Sequence, residues 1–197
     1  MRRVVITGVG AVTPIGNTAK EMWAGVREGK CGIDKITKYD ISNRKVKVAA
    51  EVKNLPVEEL VDKHDLRKMD LFCAFAMIAA DEAIADSGLS FEGEEDKCGV
   101  IVSSGIGGIS TIEKEYSKGL EKGFDRVSPY FIPSVITNMA AGRIAIKHNL
   151  QGMCSCVVTA CAGGTNAVGD SFRQIRDGYA DVMVCGGAEA GITEISV

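Results

Sequence analysis

Histidine is nearly missing from this chain: its 197 residues include only His64 and His148. No Cys-x-x-Cys pair occurs and neither histidine stands at metal-ligand spacing, so no metal site is expected. No apolar run approaches the roughly 18 residues of a membrane-spanning helix, so no membrane association is expected. Net charge is small, −3 at pH 7, and gives no general attraction to nucleic acid. The N-terminus enters an apolar stretch with no small-residue cleavage site, so no signal peptide is expected. No low-complexity linker divides the chain, which reads as one domain over residues 1–197.

What is present is an ordinary globular composition, 46% hydrophobic and 25% charged, in a chain long enough for one sizeable core. Cys73, Cys98, Cys154, Cys156 and Cys185 lie within apolar helix or strand patterns and read as small buried hydrophobes. Free cysteines of this kind suit a reducing cytoplasm.

Strand and helix signals alternate along the chain. Residues 3–9 read as a short buried strand. Thr18 and Glu21 have capping-box spacing and open a helix to about Glu28, with Met22, Trp23 and Val26 as its apolar side. Residues 31–52 mix loop with short strand, and residues 56–61 form a short helix. Residues 66–87 carry Met69, Phe72, Phe75, Ala76, Ala79, Ala83 and Ile84 at helical spacing, and Gly88 ends that helix. A buried strand over 98–103, a glycine-rich turn over 104–108 and a helix over 109–120 come next. A loop with Tyr130 and Phe131 leads to a helix over 134–148. Strands over 154–160 and 181–185 enclose a helix over 163–176. The pattern predicts an α/β layered fold with a mainly parallel sheet. The chain ends on apolar residues directly after a strand, and a continuation is expected.

Two glycine motifs invite a nucleotide reading. Gly8-x-Gly10 lacks the third glycine of a dinucleotide fingerprint, with Thr13 in its place and Pro14 following, so a structural turn is expected. Gly105-x-Gly107-Gly108 lacks the Gly-Lys-Ser/Thr of a phosphate loop. It reads either as a plain turn or as a loop passing close to a pocket, with Ile106 as a candidate lining residue.

Residues 157–166, Val-Val-Thr-Ala-Cys-Ala-Gly-Gly-Thr-Asn, read as a strand that stops abruptly and delivers Cys161 to the mouth of a helix. Free N–H groups and the helix dipole favour negative charge there, and the thiolate is the nucleophile. Gly163 and Gly164 remove bulk, so an acyl chain or a neighbouring backbone can approach. The arrangement suggests acyl transfer. A cysteine in an apolar stretch can also be buried and inert, and a nucleophile needs a base. His64 in a charged segment and His148 at a helix end fit surface or capping roles. From the residues by themselves both readings of Cys161 stand. Lys63, Arg67 and Lys68, with Arg126 as a further member, form either a solvated face or a docking patch for an acidic protein or a phosphate.

Taken together, five blocks resemble the N-terminal half of the beta-ketoacyl-acyl-carrier-protein synthases, and most of all the type II elongating enzymes of fatty-acid synthesis. They are RRVVITGVGAVTPIGN, LRKMD, SSGIGGI, SPYFIPSVITNMAAGRIAI and VVTACAGGTNAVGDSFRQIRDGYADVMVCGGAE, in the family's order. The resemblance implies a thiolase-like fold, whose two similar halves stack as α/β/α/β/α layers, with one half supplied here. It implies a homodimer paired through the strand before Cys161. It implies that Cys161 takes an acyl group from acyl carrier protein, with its own N–H as one oxyanion donor, and that malonyl carrier protein condenses with it after losing carbon dioxide. Ile106 matches an acyl-pocket residue, and Phe131 and Ile132 match positions that reach the pocket from the dimer partner. Lys63, Arg67, Lys68 and Arg126 match the carrier-protein docking region. No cofactor is implied, since substrates arrive on the carrier's phosphopantetheine arm.

The family's two catalytic histidines, a lysine and the second oxyanion loop belong to the other half, so these residues alone are expected to be inactive in condensation. Rival readings are a polyketide enzyme, a thiolase-type enzyme using coenzyme A thioesters, and a non-catalytic chain-length-factor-like subunit. The docking cluster and the Thr-Ala-Cys block count against the thiolase type. Chain-length factors generally lack the cysteine that this chain retains.

Overall fold

A computed structural model describes residues 2–197. Helix α1 (Ala19–Arg27) is followed by strands β1 (Ile33–Lys35) and β2 (Val48–Ala50), and then by helices α2 (Val57–Leu60), α3 (Lys63–Leu66) and α4 (Leu71–Ser87). Next come β3 (Cys98–Ser103), α5 (Ile109–Lys122), α6 (Phe131–Val135) and α7 (Met139–His148). Strand β4 (Cys154–Ser155), helix α8 (Gly163–Arg176) and strand β5 (Val182–Gly187) complete the described residues.

β3 is the centre of the fold. All six of its residues are buried, which suits a strand with neighbours on both edges and helices over its faces. It pairs in parallel with β4 through Val100 and Ile101, and with β5 along its whole length. The sheet order is β4-β3-β5, so the α/β class and the parallel sheet match the sequence pattern. β1 and β2 form a separate antiparallel pair.

Helix α4 buries Phe72, Cys73, Ala74, Ala76, Met77, Ile78 and Ala80 around most of its circumference, as a core helix does. It packs on α7 and β5, while α7 packs on β3 and β4, and α8 on β3 and β5. Val100, Val102, Phe72, Ala140, Ala141 and Ile144 belong to the same core cluster. Gly88 ends α4 in the left-handed region at φ 63°, which a residue without Cβ adopts without strain.

Several sequence expectations are corrected. The helix expected over 66–87 begins only at Leu71, with Leu66 closing the short α3 before it, because Asp70 turns extended (φ −84°, ψ 164°) and its carboxylate caps α4 by accepting the Phe72 N–H at 3.4 Å. Apolar spacing alone hid the break, since Met69 is buried in the same core. The helix expected over 134–148 is also divided, by the extended backbone of Ile136 (φ −63°, ψ 132°) between α6 and α7. The strand expected over 154–160 pairs only at Cys154–Ser155, and Val158 is exposed. Cys154 and Cys185 are exposed and Cys156 half-buried, so only Cys73 and Cys98 of those five are buried. On α1, capped by Thr18 as expected, Trp23 and Val26 lie exposed.

Residues 3–9 form no strand. A cavity of about 600 Å³ lies between this segment and β5, lined by both, so the segment's backbone has no ladder to join. Carboxylates on α4 hold the N-terminal stretch instead. Asp86 accepts the Val9 N–H at 3.0 Å, and Glu82 accepts the N–H of Ala11 at 2.9 Å and that of Ala19 at 2.9 Å. Gly8 and Gly10 lie directly against the α4 backbone, and a Cβ at Gly10 would run into the Ala79 carbonyl oxygen. The Gly8-x-Gly10 pair thus serves close packing of two backbones. Gly10→Ala is expected to destabilise the full-length protein by about 2–3 kcal/mol, because neither backbone can yield cheaply. Urea unfolding measures this, and an unchanged midpoint would show that the segment does not rest on α4.

Candidate active site

Cys161 lies in a single 3-10 turn, Ala160–Ala162, between the strand segment and α8. Ala160 has φ 50°, a left-handed conformation that a residue with a Cβ adopts only under constraint. The chain therefore reverses sharply just before the cysteine, and Cys161 is exposed. Gly163 and Gly164 let the start of α8 pack closely on the strand ends. A Cβ at Gly163 would collide with Ser103 Oγ at the end of β3, and Gly164 lies against Gly187 at the end of β5. Cys161 thus stands beyond the carboxyl ends of parallel strands, where α/β sheets form their binding crevices.

The turn holding Ile106 lies beside this reversal. A Cβ at Gly105 would lie 3.8 Å from Ala160 Cα. On its other side the turn meets α6: the Gly108 N–H donates to the Val135 carbonyl at 3.0 Å. Gly107, at φ 77°, has no room for a Cβ beside the Val135 carbonyl oxygen. The structure therefore sets the Ile106 turn between the Cys161 reversal and the helix that carries Phe131 and Ile132. Ile106 and Ile132 are both exposed and Phe131 is half-buried.

Lys63 and Arg67 are exposed around α3, and Lys68 is half-buried. Lys68 Nζ lies 5.2 Å from the centroid of the Tyr130 ring, a cation–π contact that joins α3 to the loop holding Arg126. Arg126 is exposed in a 3-10 turn, Phe124–Arg126. Lys63 Nζ lies 3.9 Å from Glu58 Oε2 in an exposed pair.

Neither histidine serves Cys161. His64 Nδ1 is 3.3 Å from Lys68 Nζ on the surface, and His148 Nε2 is 2.7 Å from Asp81 Oδ1 at the end of α7. Among the described residues no group of His, Cys, Asp and Glu could hold a metal ion. Burial pushes the Cys73 thiol up to about 12, against a smaller opposing effect of the Arg143 charge. Desolvation of the sulfur also raises the Cys98 thiol, and those of Cys154 and Cys185 although these two residues keep part of their surface exposed. These four are poor nucleophiles at neutral pH.

Two carboxylates that hold the site escaped the sequence reading. Asp70 Oδ2 accepts Ser110 Oγ–H at 2.6 Å, the Thr111 N–H at 2.8 Å and Thr111 Oγ1–H at 2.7 Å. Glu189 accepts from the Ile106 turn. The Gly-Gly-Ala-Glu block at the end of an apolar strand pattern was the available signal for Glu189. Asp70 had only its place before an apolar helix.

Residues 1–197 match the family described as Beta-ketoacyl synthase, N-terminal domain. The chain is 45% identical over 196 residues to 3-oxoacyl-[acyl-carrier-protein] synthase 2 of Synechocystis sp., covering 99% of this chain and 47% of that protein. It is 44% identical over 197 residues to the protein of the same name from Staphylococcus aureus, covering 100% of this chain and 48% of that one. The chain therefore spans about half the length of these relatives. Among solved structures it is similar to the ishigamide ketosynthase/chain length factor, with TM-score 0.85 and 29% identity over 96% of this chain and 48% of that one. A beta-ketoacyl synthase from Burkholderia phymatum gives TM-score 0.85 and 25% identity over 99% of this chain and 48% of that one. The thiolase-like fold expected from the sequence is thus shown, and the chain belongs to the beta-ketoacyl synthase family, matching its N-terminal domain.

Proposed function

We propose that this chain supplies the acyl-accepting part of a 3-oxoacyl-acyl-carrier-protein synthase of fatty-acid elongation. The observation that carries the reading is Cys161, exposed on a left-handed reversal at the carboxyl ends of parallel strands and directly before α8. The Cys161 thiolate attacks the carbonyl carbon of an acyl thioester on the carrier's phosphopantetheine arm. A carbon–sulfur bond forms to Cys161, its N–H donates to the oxygen that gains charge, and the pantetheine thiolate leaves. Malonyl carrier protein then loses carbon dioxide. The electron pair left on carbon attacks the Cys161 thioester, expels the thiolate and yields the beta-ketoacyl carrier protein.

His64 and His148 are engaged elsewhere, so the histidines that assist decarboxylation come from outside these residues. Lys63, Arg67, Lys68 and Arg126 receive the acidic carrier protein. The segment before Cys161, Ser155 to Ala160, pairs with a second copy in a homodimer, which brings Phe131 and Ile132 to the partner's pocket. No cofactor takes part. No helix of the described residues is long and apolar enough to cross a membrane, and seven free cysteines suit the reducing cytoplasm.

The test is acyl loading of the full-length protein. Incubation with acyl carrier protein thioesters should add one acyl mass to Cys161, and malonyl carrier protein should then release a beta-ketoacyl product. Iodoacetamide should modify Cys161 ahead of the other cysteines, with Cys73 slowest because its thiol is pushed up to about 12. Loading from coenzyme A thioesters but not from carrier protein would favour a thiolase-type enzyme. No loading from either would favour a chain-length-factor-like subunit, against which the presence of Cys161 argues.

A further inference from the structure

We infer that Glu189 is a positioning residue that clasps the Ile106 turn and thereby sets acyl-chain selectivity at Cys161; the selectivity part rests on the function proposed above. Glu189 stands just past the end of β5, and the Ile106 turn just past the end of β3, the adjacent strand. The Ala188 N–H donates to the Ser103 carbonyl at 2.9 Å and carries the strand pairing to the base of the turn. Beyond it the carboxylate takes over. Glu189 Oε2 accepts the Gly105 N–H at 2.8 Å and the Ile106 N–H at 3.2 Å, and Oε1 accepts Ser104 Oγ–H at 3.2 Å. Ser104, almost fully buried, closes the loop by accepting the Gly107 N–H on Oγ at 3.0 Å.

Successive backbone N–H groups that converge on one oxygen form an anion nest. Here the anion is a side chain of the protein itself. All of its partners are amide or hydroxyl donors, so the carboxylate acts as a brace. The brace adds to the contact with α6 on the side where the turn has little packing of its own: Gly105 brings no side chain, and Ile106 is exposed. The same turn abuts Ala160, so any drift of Ile106 is a drift of the surface beside Cys161.

The oxygen pattern predicts which substitution is tolerated. Both amides use one oxygen, so the carbonyl oxygen of glutamine can receive both. Its NH2 then faces Ser104 Oγ, a hydroxyl that can accept as well as donate. Alanine supplies neither. The experiment compares wild type, Glu189→Gln and Glu189→Ala in the full-length protein by two readouts. The first is Cys161 acylation by octanoyl- and palmitoyl-carrier protein. The second is hydrogen exchange, read by mass spectrometry, over peptides containing residues 104–108.

Glu189→Ala should speed exchange at this turn by about tenfold or more and change the octanoyl-to-palmitoyl rate ratio by roughly tenfold. Glu189→Gln should restore both to within about twofold of wild type. Exchange unchanged in Glu189→Ala would overturn the clasp. Faster exchange with an unchanged rate ratio would overturn the selectivity role. A folded Glu189→Gln protein that loads no acyl group would overturn positioning in favour of a proton-transfer role. Wild type that loads neither thioester would overturn the proposed function and the selectivity role with it, while exchange would still decide the clasp.

Discussion

Replacing Cys161 by alanine in the full-length protein is expected to abolish acyl loading and to lower condensation on the order of ten-thousandfold or more. The size follows from the loss of the attacking thiolate itself. Cys73 and Cys98 are buried, and desolvation of the sulfur raises the thiols of Cys73, Cys98, Cys154 and Cys185. None of these can take over as a thiolate at neutral pH. Folding should be unaffected, because Cys161 is exposed and contributes no core volume. Cys161→Ser should fail as well, since a hydroxyl gives far less of the anionic nucleophile than a thiol. Acyl-enzyme mass spectrometry reads the result directly. Loading of Cys161→Ala at more than about one per cent of the wild-type rate would remove the nucleophile assignment.

The second large effect concerns stability. Asp70→Ala is expected to destabilise the protein by about 3–5 kcal/mol. Asp70 is buried, and one of its oxygens receives Ser110 Oγ–H, Thr111 Oγ1–H and the Thr111 N–H, while the other caps α4 through the Phe72 N–H. Alanine would remove the shared acceptor of these donors and the cap of α4 together, with Ser110 and Thr111 only half-open to water in its place. Asp70→Asn should cost about 1–2 kcal/mol. Its carbonyl oxygen can take the Ser110 and Thr111 donors, and only the weak 3.4 Å bond from Phe72 faces the wrong group. Urea unfolding of both variants checks the order, and equal losses would show that packing, not the hydrogen bonds, accounts for the effect. Asp70 anchors the start of α5 just after the Ile106 turn, and Glu189 braces the turn itself. The Ile106 turn is thus held at both ends by carboxylates.

The sequence made Cys161 legible because its signal is local: an apolar run, a cysteine and two glycines in eight residues. The central strand at Cys98–Ser103 was legible for the same reason, since burial on both faces leaves an unbroken apolar run. The long helix was misread because Met69 and Phe72 share one core although a cap lies between them, and periodicity does not register a break that keeps the buried face continuous. Residues 3–9 have the composition of a strand, but a ladder needs a partner at hydrogen-bonding distance. Among the described residues a cavity stands where that partner would be.

Local order along the chain carried the α/β class, the parallel sheet, the place of Cys161 just before α8 and the family, since each depends on short-range patterns of apolar, glycine and cysteine residues. The carboxylate braces belong to another level. Glu189 meets Gly105 across 84 positions and Asp70 meets Thr111 across 41, and no spacing rule spans such separations. Those contacts exist because parallel strands end side by side and bring distant loops together, so they become visible when the chain is folded.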